Sequence, residues 1–232
     1  MRAQLDDRHG VLSELREAIR RIERRPARRT GAVPCGIGGV DAELPDGGFP
    51  RGALSELAGG RASGKTAVAL ALLASLGADD LFAWVDGRGE LYPPAAAARG
   101  VDLGRLLIVR PGVCAKHPLL GSSAGPQAGA VQGALWAAEA LLGSSAFAAV
   151  VIDVPLGAWG ARAGAGRGWE AVARRLQTAA EKGGAVGLWL SSTRSALRAP
   201  AALRLEFATE QGRVVARRPG VGVALQGGGR VA

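Results

Sequence analysis

The chain has 232 residues, 48% hydrophobic and 21% charged, which suits one sizeable α/β domain with an appendage better than two full domains. Its net charge of +9 is almost wholly arginine, since Lys65, Lys116 and Lys182 are the only lysines. That balance is compatible with an acidic partner, nucleic acid or protein, although the arginine, alanine and glycine excess also reads as coding bias.

No apolar run of about 18 residues escapes charges or glycine breaks, so no membrane span is expected. Met1 to Asp7 holds no apolar segment of a signal peptide. Cys35 and Cys114 lack metal-ligand partners nearby, since the only histidines are His9 and His117, and they read as reduced thiols of a cytoplasmic protein.

In chain order, Val11, Leu12, Leu15, Ala18, Ile19 and Ile22 form one apolar stripe on a charged helix over 10–25, which Pro26 ends. The stripe packs on its own domain or on a partner, and periodicity does not choose between them. A basic linker with Arg28 and Arg29 follows, so residues 1–31 read as helix plus linker. Residues 32–218 read as the core and 219–232 as a Gly-rich flexible tail.

Ala53–Ala58 reads as a short strand and Ala67–Leu76 as an apolar buried helix. Between them, Gly59, Gly60, Arg61, Ala62, Ser63, Gly64, Lys65 and Thr66 fill every defined position of G-x-x-x-x-G-K-[ST]. Glycines let such a backbone curl so that successive N–H groups face phosphate oxygens, and the helix N-terminus adds partial positive charge. A lysine there reaches the β- and γ-phosphates, and the Thr hydroxyl holds magnesium.

Leu81–Asp86 and Leu106–Pro111 read as strands, with a short helix and turn over Pro93–Asp102. A Gly/Ser/Ala loop over 121–129 leads to a long helix, Gln127–Leu142. Phe147–Asp153 is an apolar run ending in a carboxylate, the pattern of a central parallel strand whose Asp153 orients a magnesium-bound water. The glycine-dense stretch Gly157–Trp169 reads as a mobile loop. Its Arg162, Arg167 and Trp169 offer phosphate contacts and base stacking, or the tryptophans simply anchor a surface loop. Glu170–Glu181 reads as a helix and Ala185–Thr193 as a strand. Leu203–Phe207 and Arg213–Arg218 read as two antiparallel edge strands about Glu210-Gln211-Gly212.

The run Gly36-Ile37-Gly38-Gly39-Val40-Asp41 to Leu44, then Gly47-Gly48-Phe49-Pro50-Arg51-Gly52, enters the strand before the phosphate loop. This pattern resembles the start of the RecA recombinase core, and the similarity continues to about residue 218. The resemblance implies a P-loop α/β fold, a mostly parallel sheet flanked by helices. It also implies ATP and Mg²⁺ bound through Gly59–Thr66 and Asp153. In RecA-like ATPases the catalytic glutamate stands two residues after the aspartate matching Asp86. Here that position is Arg88, which cannot act as a general base, and Glu90 is the nearest acid. The γ-phosphate sensor position matches Ser192. The second DNA loop shrinks to Thr193–Pro200, leaving Arg194 and Arg198 as its candidate DNA contacts; Arg162, Arg167 and Trp169 fall in the place of the first.

A truncated core with these departures resembles the ImuA proteins, also called SulA-like, through Phe49–Leu57 and Ala134–Leu141. Many members of that family have a degenerate phosphate loop, whereas this one is intact. The resemblance implies a cytoplasmic ATP-binding accessory of the DNA-damage (SOS) response and translesion synthesis. Its partners would be RecA and an error-prone polymerase complex containing an ImuB-like protein. A DNA-dependent ATPase that binds single-stranded DNA and assists recombination stays open as the alternative. A nucleotide-binding cell-division inhibitor is a weaker third.

Overall fold

The computed structural model of the protein describes residues 30–111, 126–155, 166–192, 201–210 and 213–217. Its organising element is a seven-stranded sheet, apolar through most of its inner strands and of mixed polarity in the last two of the chain. The strands are β3 (Ala53–Gly59), β4 (Leu81–Asp86), β5 (Leu106–Val109), β6 (Phe147–Asp153), β7 (Val186–Ser191), β8 (Leu203–Glu210) and β9 (Arg213–Arg217). The order across the sheet is β5-β4-β6-β7-β3-β8-β9; all neighbours pair in parallel except β8 and β9. This is the α/β class and mostly parallel sheet that the sequence leads one to expect.

Helices cover both faces, which is why the inner strands are buried along almost their whole length. Phe82, Trp84, Val151 and Leu188 point to the face covered by α2 (Lys65–Ser75), through Val68, Leu72 and Leu73. The alternate residues Ala83, Val85, Val150, Ile152 and Trp189 meet α4 (Pro126–Gly143) and α5 (Gly166–Gly183). Each buried leucine- or valine-sized side chain contributes roughly 1.5–3 kcal/mol relative to exposure. Thus the double layer, not helix propensity, holds these short elements.

A small antiparallel pair, β1 (Ala32–Val33) with β2 (Phe49–Pro50), precedes β3. Between its strands lies α1 (Gly38–Asp41), and the Asp41 carboxylate accepts from the N–H groups of Cys35 (2.8 Å) and Gly36 (2.9 Å). These elements are too short for any hydrophobic period to reveal them. The remaining helix, α3 (Pro93–Ala97), opens on proline residues whose missing N–H groups cost nothing at a helix start.

The structure corrects two readings of the sequence. First, β8 is not an edge strand: it pairs in parallel with β3 (Leu57 opposite Leu205), and β9 alone forms that edge. On β8, Arg204 faces a buried acid. Glu56, 1% exposed in the middle of β3, accepts from the Ser191 hydroxyl (2.6 Å) and from Arg204 Nη1 (2.6 Å). Arg204 Nε also donates to Glu206 (3.0 Å). Burial disfavours the Arg204 charge, but the bonds to Glu56 and Glu206 outweigh it and raise its pKa. Second, α5 begins at Gly166, so the last four residues of the expected loop, Arg167 and Trp169 among them, are helical. The expected N-terminal helix over 10–25 and the tail over 219–232 lie outside the described residues.

Candidate nucleotide site

Four strands end on one rim of the sheet: β3 at Gly59, β4 at Asp86, β6 at Asp153 and β7 at Ser191. Because β6 and β7 are inserted between β3 and β4, the loop after β3 and the carboxylates of β4 and β6 share the edge where α/β sheets bind ligands.

The loop after β3 has the shape its motif requires. Gly64 adopts φ +87° as it caps α2, a left-handed conformation that glycine reaches without strain, and Val68 N–H donates to its carbonyl (3.0 Å). Ala62 is also left-handed (φ 56°). Gly59 has no room for a Cβ, because the Ser63 side chain fills that space. The buried Ser63 hydroxyl has no hydrogen-bond partner among the described residues. Arg61, Ala62 and Thr66 are exposed on the rim. Lys65 folds back over the loop, donating from Nζ to the carbonyls of Gly59 (3.1 Å) and Gly60 (2.9 Å). Burial lowers its pKa, with Asp153 opposing and Arg88 assisting. The curled backbone, the orphaned hydroxyl and a half-buried ammonium at a helix start fit a chain of phosphates.

Asp153 is occupied differently. Its Oδ1 accepts from Arg88 Nε at 2.8 Å, and its side chain is only 11% exposed. Burial raises the Asp153 pKa, and the Arg88 charge and hydrogen bond pull against that rise. Thr66 remains where a magnesium-holding hydroxyl is expected, at the second residue of α2. The carboxylate that would complete the magnesium pair, however, is already bonded to a guanidinium. The phosphate half of the site fits its expected ligand, and the metal half does not.

Arg88 is held there by a network the sequence did not reveal. The fully buried Asp86 side chain accepts from the N–H groups of Glu90 (3.0 Å) and Leu91 (3.2 Å) and from Arg110 Nε (2.9 Å). Arg110 also donates to the Leu91 carbonyl (2.8 Å), and Gly87 N–H donates to the Asp153 carbonyl (2.9 Å). The loop 87–91 is thereby closed on itself and stitched to the end of β6. Glu90 is exposed on it, and its charge is felt by both Lys65 and Asp153. Ser192 follows β7 directly and is exposed, whereas Ser191 points back to Glu56. Of the candidate DNA contacts, Arg162, Arg194 and Arg198 lie outside the described residues, and only the backbone of Arg167 and Trp169 is described.

A separate cleft of about 520 Å³ lies between α4 and α5, lined by Glu139, Arg174, Arg175 and Lys182 among others. Its Arg175–Glu139 pair (3.2 Å) belongs to helix packing rather than to the rim that carries the loop. No helix among the described residues is long and apolar enough to cross a membrane.

A family model described as the RecA N-terminal domain matches residues 11–119, a stretch that includes the phosphate loop and Arg88 and stops short of Asp153. RecA of Salinispora arenicola is 38% identical over 110 residues, covering 47% of this chain and 30% of that protein. RecA of Clostridioides difficile is 38% identical over 125 residues (53% of this chain, 30% of that one). RecA of Cutibacterium acnes is 34% identical over 109 residues (47% and 30%). The matched stretch thus takes in 30% of the length of these relatives. Over that stretch the chain is RecA-like, and its sheet is that of a RecA-like core.

Proposed function

We propose that this RecA-like chain binds ATP through Gly59–Thr66 and uses the bound state to present a surface to partner proteins, rather than to drive strand exchange. One observation supports this most: the phosphate loop is fully formed, while Arg88, not a carboxylate, faces Asp153 across the site. Binding requires the loop and Lys65. Hydrolysis requires in addition a base beside the attacking water, and a guanidinium cannot take its proton.

The role is that of an accessory in the DNA-damage response, in contact with RecA and with an error-prone polymerase assembly of the ImuA–ImuB kind. Its support is the resemblance set out above and the RecA relatives. A DNA-dependent ATPase is the second reading. It draws on Glu90, which stands two residues from Arg88 with its charge felt at Lys65 and Asp153.

ATP turnover by the full chain, with and without single-stranded DNA, separates the two when Lys65→Ala and Glu90→Gln are run alongside. The adaptor reading expects no turnover above the Lys65→Ala background. DNA-stimulated turnover lost in both variants would replace it with the ATPase and make Glu90 the base. Co-purification with RecA, with and without residues 1–30, tests the partner: retention by the truncated chain would remove the N-terminal segment from that contact.

A further inference from the structure

We propose that Arg88 is the resident cation of this nucleotide site, so that Lys65 and Arg88 hold the phosphates of a nucleoside triphosphate without a divalent ion. The inference rests on the nucleotide-binding reading above and concerns how that site balances charge.

A magnesium ion between Thr66 and Asp153, or a water bound to it, would have to share the carboxylate with Arg88, whose Nε donates to Oδ1 at 2.8 Å. It would also face a guanidinium within a few ångströms. Magnesium demands near-ideal octahedral oxygen ligands and gives up its waters reluctantly, so it competes poorly for a carboxylate already paired. Arg88 cannot easily withdraw. Its loop is tied by Asp86 to the N–H groups of Glu90 and Leu91, by Arg110 to Leu91, and by Gly87 to the backbone of Asp153. Moving the guanidinium away would also leave the Asp153 side chain, 11% exposed, without its partner.

The charges agree with this arrangement. Lys65 and Arg88 balance Asp153 and Glu90, and Arg110 balances Asp86, so these six groups are neutral together without a metal, and Arg61 adds one exposed positive charge at the rim. A glutamate in place of Arg88 would lower the sum by two, the charge a magnesium ion supplies. Arg88 also keeps donors to spare. Only its Nε is bonded among the described residues, and the remaining fork is planar and suited to paired phosphate oxygens.

The test is equilibrium binding of ATP to the full chain by calorimetry, in excess Mg²⁺ and in EDTA. The wild-type protein should bind with affinities within about threefold of each other in the two buffers. Arg88→Glu should bind in Mg²⁺ and lose about tenfold or more in EDTA, a gain of metal dependence that misfolding cannot produce. Arg88→Gln, which keeps the size and drops the charge, should weaken in EDTA and recover partly in Mg²⁺. Wild-type affinity falling about tenfold or more in EDTA would overturn the inference and leave the nucleotide reading standing. Metal-insensitive binding by Arg88→Glu would overturn it as well. If neither wild type nor any variant bound ATP in either buffer, the nucleotide reading itself would fall and take the inference with it.

Discussion

Arg204→Met isolates the buried charge on which the position of β8 depends. In the folded chain Glu56 is 1% exposed and has two side-chain partners, Ser191 and Arg204. Methionine fills much of the arginine volume and removes the charge, so the carboxylate keeps one hydroxyl and loses its counter-ion. Breaking a buried pair from one side costs about 3–5 kcal/mol, because an uncompensated charge remains. Arg204 retains 14% side-chain exposure, so water can follow once it is gone, and a loss of about 3 kcal/mol is expected. At about 2–4 °C per kcal/mol for a domain of this size, the melting temperature should drop about 6–12 °C. Replacing both partners, Glu56→Leu with Arg204→Met, should restore most of that loss, since an apolar pair of similar volume carries no stranded charge. Circular dichroism melts and urea titrations of the three proteins supply the numbers. A single-variant loss under about 1 kcal/mol, or a double variant no more stable than the single, would refute the argument.

Gly59→Ala should weaken ATP binding by about tenfold or more and also lower the melting temperature, because the new Cβ would overlap Ser63 and lie 3.1 Å from Phe207 Cβ. Unaltered affinity in a titration would count against the loop as the binding element. Gly183→Ala should cost about 3 kcal/mol or more, read from urea unfolding, since its Cβ would overlap the Leu142 carbonyl where α4 meets α5. Burial, reinforced by a hydrogen bond with Asp41, pushes the Cys35 thiol up to about 12. In Cys114→Ser protein it should therefore resist a thiol reagent at neutral pH until the chain is unfolded; prompt labelling of the native protein would contradict its burial. The folded thiol holds its proton to higher pH than the unfolded one (9.0), so its contribution to stability is present below about pH 9 and lost as pH rises towards 12. Cys35→Ala should flatten that decline in a pH series of melts.

The strands at the heart of the site were legible because burial on both faces leaves an unbroken apolar run. Leu81–Asp86 and Phe147–Asp153 have in the structure the limits they have in the sequence. The phosphate loop was legible because its glycines and lysine answer to local backbone geometry. What stayed hidden depends on partners distant in sequence. Arg204 and Glu206 alternate with Leu203, Leu205 and Phe207 as in a half-exposed hairpin, and nothing local shows that Arg204 faces Glu56, on a strand about 150 residues earlier. Arg88 could be seen to stand where an acid was expected. Its bond to Asp153 spans 65 positions and arises only when β4 and β6 lie side by side. The start of α5 was misread because Gly166 and Gly168 lower helix propensity, yet the helix includes both.

The site proposed above retains ATP without cleaving it. The most direct measurement incubates the full chain with ATP, removes unbound nucleotide by gel filtration, and identifies what remains on the protein by chromatography. About one intact ATP per chain is expected, absent from Lys65→Ala. Nucleotide recovered as ADP, or none retained above the Lys65→Ala level, would contradict it.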